Sequence, residues 1–363
     1  MIPSSPGSPT RRSRRSPRHR RPRRRIRPYW EHWPREELLD LRLSNLELRI
    51  EGTELADRIA QIHAELDARD LRFRPYFWLS DDWFTPAGMT GTAIPFYLAH
   101  PRLIRLERSQ IGEAEGSSHA WCMKLLRHET GHALDHAYQL TRRRQRQRLF
   151  GRSSVSYPRF YRPNPYSRQH VQHLEYWYAQ SHPDEDFAET FAVWLQPRSG
   201  WRRRYRDWPR ARRKLEYIDA LMGDIAGQRP LRRTRAHVDG LPHLRKTLRE
   251  HYRRKRAAYS LEHSDSYDRD LGRLFSPSRG RGGREPAAAF LRRSRTEILR
   301  LAAPWAGEHG YLLDHVFKDI RGRCRQLKLY VHSSERRTRT EFAIVLVKHT
   351  IESLYRNRRW MRM

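Results

Sequence analysis

Only two cysteines, Cys122 and Cys324, occur in 363 residues, which is too few for a disulfide framework, and they form no C-x-x-C pair. Cys122 stands in an apolar run and reads as a buried thiol. Long apolar stretches are missing too: the longest, near Phe342 to Val347, is far too short to cross a bilayer. No apolar h-region follows the arginines at the start of the chain, so neither a secretory nor a twin-arginine signal is read there. These absences favour a cytoplasmic location. A G-x-S-x-G elbow is absent, which removes the commonest serine-nucleophile signature. Acidic residues are comparatively scarce, 41 against 74 basic ones, and the formal net charge is +33. Only seven of the basic residues are lysine. Arginine spread through the whole chain fits a coding bias as well as it fits nucleic-acid binding. In either case a polyanion is expected to bind this surface at low salt and to leave as salt rises.

The length allows one large or two medium domains, while 37% hydrophobic residues and a mean hydropathy of −0.96 mean very polar surfaces and tails. Residues 1–29 alternate Pro, Ser and Arg without one acid or an apolar period, and read as a disordered tail able to hold a polyanion or nucleic acid. Residues 30–235 carry the chemistry described below. Residues 236–363 read as a helical C-terminal region, with helices around Ile298, Val316 and Val345. Within that region, HSDSYDRDLGRLFSPSRGRGGREP reads as a linker or loop. Its Asp265, Asp268 and Asp270 lack the glycine position and terminal Glu of a calcium loop. In the first part, Leu55, Ile59, Ile62 and Leu66 predict an amphipathic helix capped by Thr53. RFRPYFWLS and TAIPFYLA predict strands.

The chemistry starts at His128-Glu129-Thr130-Gly131-His132. Residues four apart share a helix face, so both imidazoles reach one ion. Glu129 is placed to take a proton from water on that ion, which is the H-E-x-x-H arrangement of zinc metalloproteases. Apolar flanks at helical spacing (Trp121, Leu125, Leu126, Ala133, Leu134) support a helix. A third ligand is sought downstream, where HPDEDFAETFAVWL starts a second helix with Pro183 and Asp184 in its first turn. Glu185 is the first candidate, and Glu189, one turn on, would then orient a ligand histidine. A metzincin-type third histidine is excluded, because Asp135 and Tyr138 stand where its Gly and His belong. His136 lies eight residues from His128, a helical rise of about 12 Å that one ion cannot bridge. His136 and Asp135 are therefore expected at the surface or behind the ligands.

HETGHALDHAY followed by WYAQSHPDEDFAETFAVWL resembles the bacterial zinc-binding metallopeptidases of gluzincin type, and more distantly the catalytic domain of anthrax lethal factor. TAIPFYLAHPRLIRLE and YRDWPRARRKLEYIDALM extend the resemblance over roughly residues 30 to 230. It implies an α+β, zincin-like fold with an edge strand near Ile94 to Leu98 to which an extended peptide could pair, one catalytic Zn2+ held by His128, His132 and Glu185, and Glu129 as general base. It matches Glu189 to an acid behind the ligands and Tyr178 to a tyrosine that steadies the oxyanion. The expected activity is zinc-dependent hydrolysis of peptide bonds in a protein or peptide substrate, with no membrane partner. The competing expectation is a non-catalytic zinc-fold protein that binds nucleic acid or ribosomes through basic-aromatic runs such as WRRRYRDW.

Overall fold

The computed structural model describes residues 28–111, 113–158, 161, 164, 166–258, 267–278, 284–306 and 310–357. The tail reading falls on residues 1–29, of which 1–27 lie outside the described residues. A short helix α1 (Arg35–Asp40) precedes the predicted amphipathic helix, α2 (Glu54–Asp67), which buries Leu55, Ile62 and Leu66. Thr53 holds the N-cap position, but its hydroxyl donates to Ile50 O at 2.6 Å instead of accepting from the helix.

Strands β1 (Tyr76–Ser80) and β2 (Gly91–Pro95) form a two-stranded parallel sheet in which Tyr76 faces Gly91. A Cβ on Gly91 would lie 2.5 Å from the Tyr76 ring and 2.6 Å from its carbonyl, so this register requires glycine. The strand expected to run to Leu98 stops at Pro95, and Phe96–Ala99 turn into a buried 3-10 helix. An aromatic run buried on all sides has no period to tell strand from short helix. Strand β2 pairs with β1 on one side, and just before the expected edge Ala93 N donates to Phe84 O at 2.9 Å.

Helix α3 (Pro101–Ile111) leads to α4 (His119–Tyr138), which starts at an N-cap Ser118 accepting from Trp121 N and ends on a left-handed Gln139. A buried fork, Glu65 taking Arg127 Nε and Nη2 at 2.7 Å each, ties α4 to α2. Helix α5 (Arg144–Phe150) precedes α6 (Pro183–Leu195), whose start follows the predicted signal: His182 caps it through Asp184 N, and Pro183 takes the first turn. Helices α4 and α6 pack closely through Gly131, where a Cβ would lie 2.9 Å from Ala188 Cα. The glycine between the two motif histidines thus lets the acidic helix approach.

Helices α7 (Trp201–Arg204) and α8 (Pro209–Ile225) follow. Trp201 and Tyr205 of the basic-aromatic run are buried, with Arg202 stacked over the Trp201 ring at 4.2 Å. These rings serve the core, so they are not presented for stacking on bases. The first hydrophobic core continues through Leu241, Leu248 and Tyr252, the last two in α9 (Leu248–Ala258).

A second core gathers the C-terminal elements: α10 (Asp268–Leu274), β3 (Phe275–Ser276), α11 (Ala287–Arg293), α12 (Arg295–Ala306), α13 (Gly310–Gln326), β4 (Tyr330–Val331) and α14 (Glu335–Asn357). The three predicted helices are α12, α13 and α14. The predicted linker is corrected in part: Leu271, Leu274 and Phe275 are buried in this core, while residues 259–266 and 279–283 lie outside the described residues. Asp268 pairs with Arg323, and Asp270 with Lys348 and His349, which accounts for two of the three aspartates without calcium. The architecture is thus mostly helical with two small sheets, an α+β arrangement. Among the described residues no helix is long and apolar enough to cross a membrane.

Candidate metal centre

Three ligand atoms converge where α4 faces α6. His128 Nε2 lies 3.0 Å from Glu185 Oε2, His132 Nε2 lies 3.3 Å from the same oxygen, and the two Nε2 atoms are 3.1 Å apart. Tetrahedral zinc with bonds of about 2.0–2.1 Å sets its ligand atoms about 3.3–3.4 Å apart, close to this triangle. Protons alone serve it poorly, because two imidazole nitrogens facing each other at 3.1 Å cannot both donate to one another's lone pair and to the carboxylate. A cation among the three satisfies every edge. The donor set of two imidazoles and one carboxylate, all within 4.8 Å, suits zinc.

The surroundings hold the ligands in place. His128 Nδ1 lies 2.9 Å from Glu189 Oε1; with Nδ1 donating, the Nε2 lone pair faces the triangle. Glu189 is wholly buried, and its Oε2 accepts from Leu174 N at 2.9 Å. Burial opposes charge on His128, yet Glu185 and Glu189 together hold its pKa well above the ordinary value. Burial likewise opposes charge on Glu185, but His132 and His128 hold its carboxyl well below the usual range.

Glu129 is buried beside the triangle, and its Oε2 accepts from Thr85 Oγ1 at 2.7 Å. Tyr178 comes from a 3-10 helix (Glu175–Gln180) whose Trp177 has a left-handed backbone, φ 56°. Its ring centroid is 5.7 Å from that of His128, and burial, then Glu185 and Glu129, push the phenol well above its ordinary pKa. The fold therefore gathers all six candidates, His128, Glu129, His132, Tyr178, Glu185 and Glu189, in one place. His136 points away, its Nδ1 lying 3.0 Å from Met89 O. Asp135 is not at the surface: it is buried and paired with Arg146 at 2.6 Å.

Several residues around the centre were not singled out by sequence. Tyr157 places its hydroxyl 3.3 Å from Glu185 Oε1, and its ring stacks on His182 at 3.5 Å. Only the Tyr- and Pro-rich character of its loop hinted at this. Arg146, wholly buried in α5, bridges Asp135 of α4 and Asp184 of α6 at 2.6 and 2.7 Å. It thereby links the residue three after one ligand to the residue just before another. Thr85 had no local signal, since it meets Glu129 from 44 positions away.

Residues 119–200 match the model of a family described as "Putative zinc-binding metallo-peptidase". That span contains every candidate ligand together with Glu129, Tyr178 and Glu189, and it is narrower than the resemblance read from sequence. No curated protein and no solved structure matches the chain, so the fainter likeness to the lethal factor domain stands on motif layout alone.

Proposed function

We propose that the chain is a zinc-dependent peptidase with a zincin-like catalytic unit, and that the His128–His132–Glu185 triangle is its metal site. The observation that carries this reading is the triangle itself, with Glu129 beside it. Bound zinc supplies Lewis acidity, bringing the pKa of a water molecule to about 7 and polarising the scissile carbonyl. Glu129 accepts the proton that water gives up as its oxygen adds to the carbonyl carbon. The C–N bond then breaks, and Glu129 passes the proton to the departing amine, leaving a carboxylic acid and an amine. Tyr178 is suited to donate to the oxyanion, since its phenol stays protonated. Glu189 keeps His128 in the tautomer that offers Nε2.

Purified protein is expected to hold about one zinc per chain, and His132→Ala to lose most of it. Zinc uptake should also release protons at pH 7. The carboxylates raise the pKa of His128 above 6.5, so a proton competes with the metal up to that higher value. Affinity should therefore keep climbing with pH past the point where an ordinary histidine is already neutral. Calorimetry in two buffers of different ionisation enthalpy reads the release. Full zinc content in His132→Ala would sink the assignment.

The activity itself is tested by profiling new amino termini in a proteome exposed to the zinc-loaded or the chelator-stripped chain. Cleavages found only with zinc support the peptidase. Identical profiles overturn it.

A further inference from the structure

We infer that Thr85, backed by Thr92, is a positioning residue that reserves Oε2 of Glu129, so that the proton taken from water is carried on Oε1. The inference rests on the hydrolytic reading above and concerns how the base is aimed.

Thr85 follows Phe84, whose carbonyl accepts from Ala93 N at 2.9 Å, so this extended stretch is tied to β2. Thr92, the neighbour of Ala93, is wholly buried, and its Oγ1 lies 2.8 Å from Thr85 Oγ1. Thr85 Oγ1 in turn lies 2.7 Å from Glu129 Oε2 and 3.4 Å from the Glu129 carbonyl. Each hydroxyl has one proton to give. Among the described residues the Thr92 hydroxyl bonds only Thr85. If Thr85 donated to Thr92, the Thr92 proton would be buried without an acceptor. The carboxylate would then face a bare lone pair at 2.7 Å. The pair is satisfied in one sense only, with Thr92 donating to Thr85 and Thr85 donating to Glu129.

Two consequences follow. The carboxylate cannot pivot, because one oxygen is held from a strand-bound residue while the backbone of α4 holds the other end. And the hydroxyl pair is closed to protons, since Oε2 could pass one on only if Thr92 had somewhere to send its own. With Oε2 engaged by Thr85, Oε1 is the more basic oxygen and carries the captured proton, which leaves toward the departing amine.

The experiment compares zinc-loaded, full-length wild type, Glu129→Gln, Thr85→Val, Thr85→Ser and Thr92→Val. All are assayed on the tryptic peptides of a bacterial proteome, then on one peptide found to be cleaved. Valine keeps the shape of threonine without its hydroxyl, and serine keeps the hydroxyl. Misplacing a catalytic group by about 1 Å costs about a hundredfold, so Thr85→Val should lose about tenfold or more in kcat, with KM within about twofold and zinc content unchanged. Thr85→Ser should recover most of the rate, and Thr92→Val should fall between the two. Wild-type kcat in Thr85→Val overturns the inference, as does a serine variant no faster than the valine one. Wild type no better than Glu129→Gln overturns the hydrolytic reading and this inference with it. That result is distinct from Thr85→Val matching a wild type that outpaces Glu129→Gln.

Discussion

Glu129→Gln is expected to fold and to bind zinc as the wild type does, yet to hydrolyse peptides about a hundredfold more slowly or worse. Glu129 is flanked in sequence by a ligand histidine, but one oxygen of its carboxylate is bonded by Thr85, and the three ligand atoms that converge come from His128, His132 and Glu185. On the proposed reading it is not needed to hold the metal. Glutamine preserves size and can still accept from Thr85 through its carbonyl oxygen, so packing and zinc content should survive. It cannot take up the proton that must move from water to the departing amine. Tyr178→Phe should cost less, because the metal still bears most of the oxyanion charge. Zinc analysis beside initial rates on a cleaved peptide separates the two losses. Equal rates for wild type and Glu129→Gln would show that this carboxylate is not the base.

What could be read from sequence was whatever is encoded locally. The H-E-x-x-H spacing places two imidazoles on one helix face whatever else the chain does. The acidic start of α6 announces itself through Pro183 and Asp184. Helices α2, α12, α13 and α14 carry their apolar period in their own residues. The elements that escaped depend on distant partners. Residues 271–275 are short and embedded in Gly, Ser and Asp, so their three core side chains look like loop composition. Phe96–Ala99 is apolar throughout and offers no period. Thr85 lies in a turn-rich stretch, DDWFTPAGMT, and matters only because β2 carries it to α4. Arg146 is hidden by abundance: among so many exposed arginines, nothing local distinguishes one that is wholly buried. The WRRRYRDW run shows the converse, since its rings suggested an exposed binding face, yet Trp201 and Tyr205 fill the core and Trp208 packs half-buried against it.

Arg146→Met should be the most damaging single change to stability, at about 3–5 kcal/mol, because it strips the counter-charge from a buried carboxylate. Arg146 is wholly buried, and burial opposes its charge, but Asp135 and Asp184 raise its pKa, so it stays a cation. Its two acids are unequal. Asp184 is partly exposed and also bonds Ser153, and it keeps a pKa below the ordinary value despite the pull of burial. Asp135 is buried with no partner for Oδ1, and burial pushes its carboxyl up to about 6 even with Arg146 present. Without the guanidinium Asp135 must be neutralised or the helices must part. Wild type already loses stability between the unfolded pKa of about 3.9 and the folded value of about 6. Without the guanidinium that lowers it, the Asp135 pKa rises further, so the loss continues past pH 6 and the penalty against wild type should grow from about pH 6 upward and be smallest below it. Asp135→Asn added to Arg146→Met should recover much of the loss at pH 8, since the buried charge goes with its partner. Zinc affinity should fall in the single variant as well, because Arg146 spans from the turn after His132 to the residue before Glu185. Denaturant melts of the zinc-free chain at pH 5 and pH 8 decide the point. A variant equally stable at both, within about 0.5 kcal/mol of wild type, would show that the bridge does not hold α4 to α6.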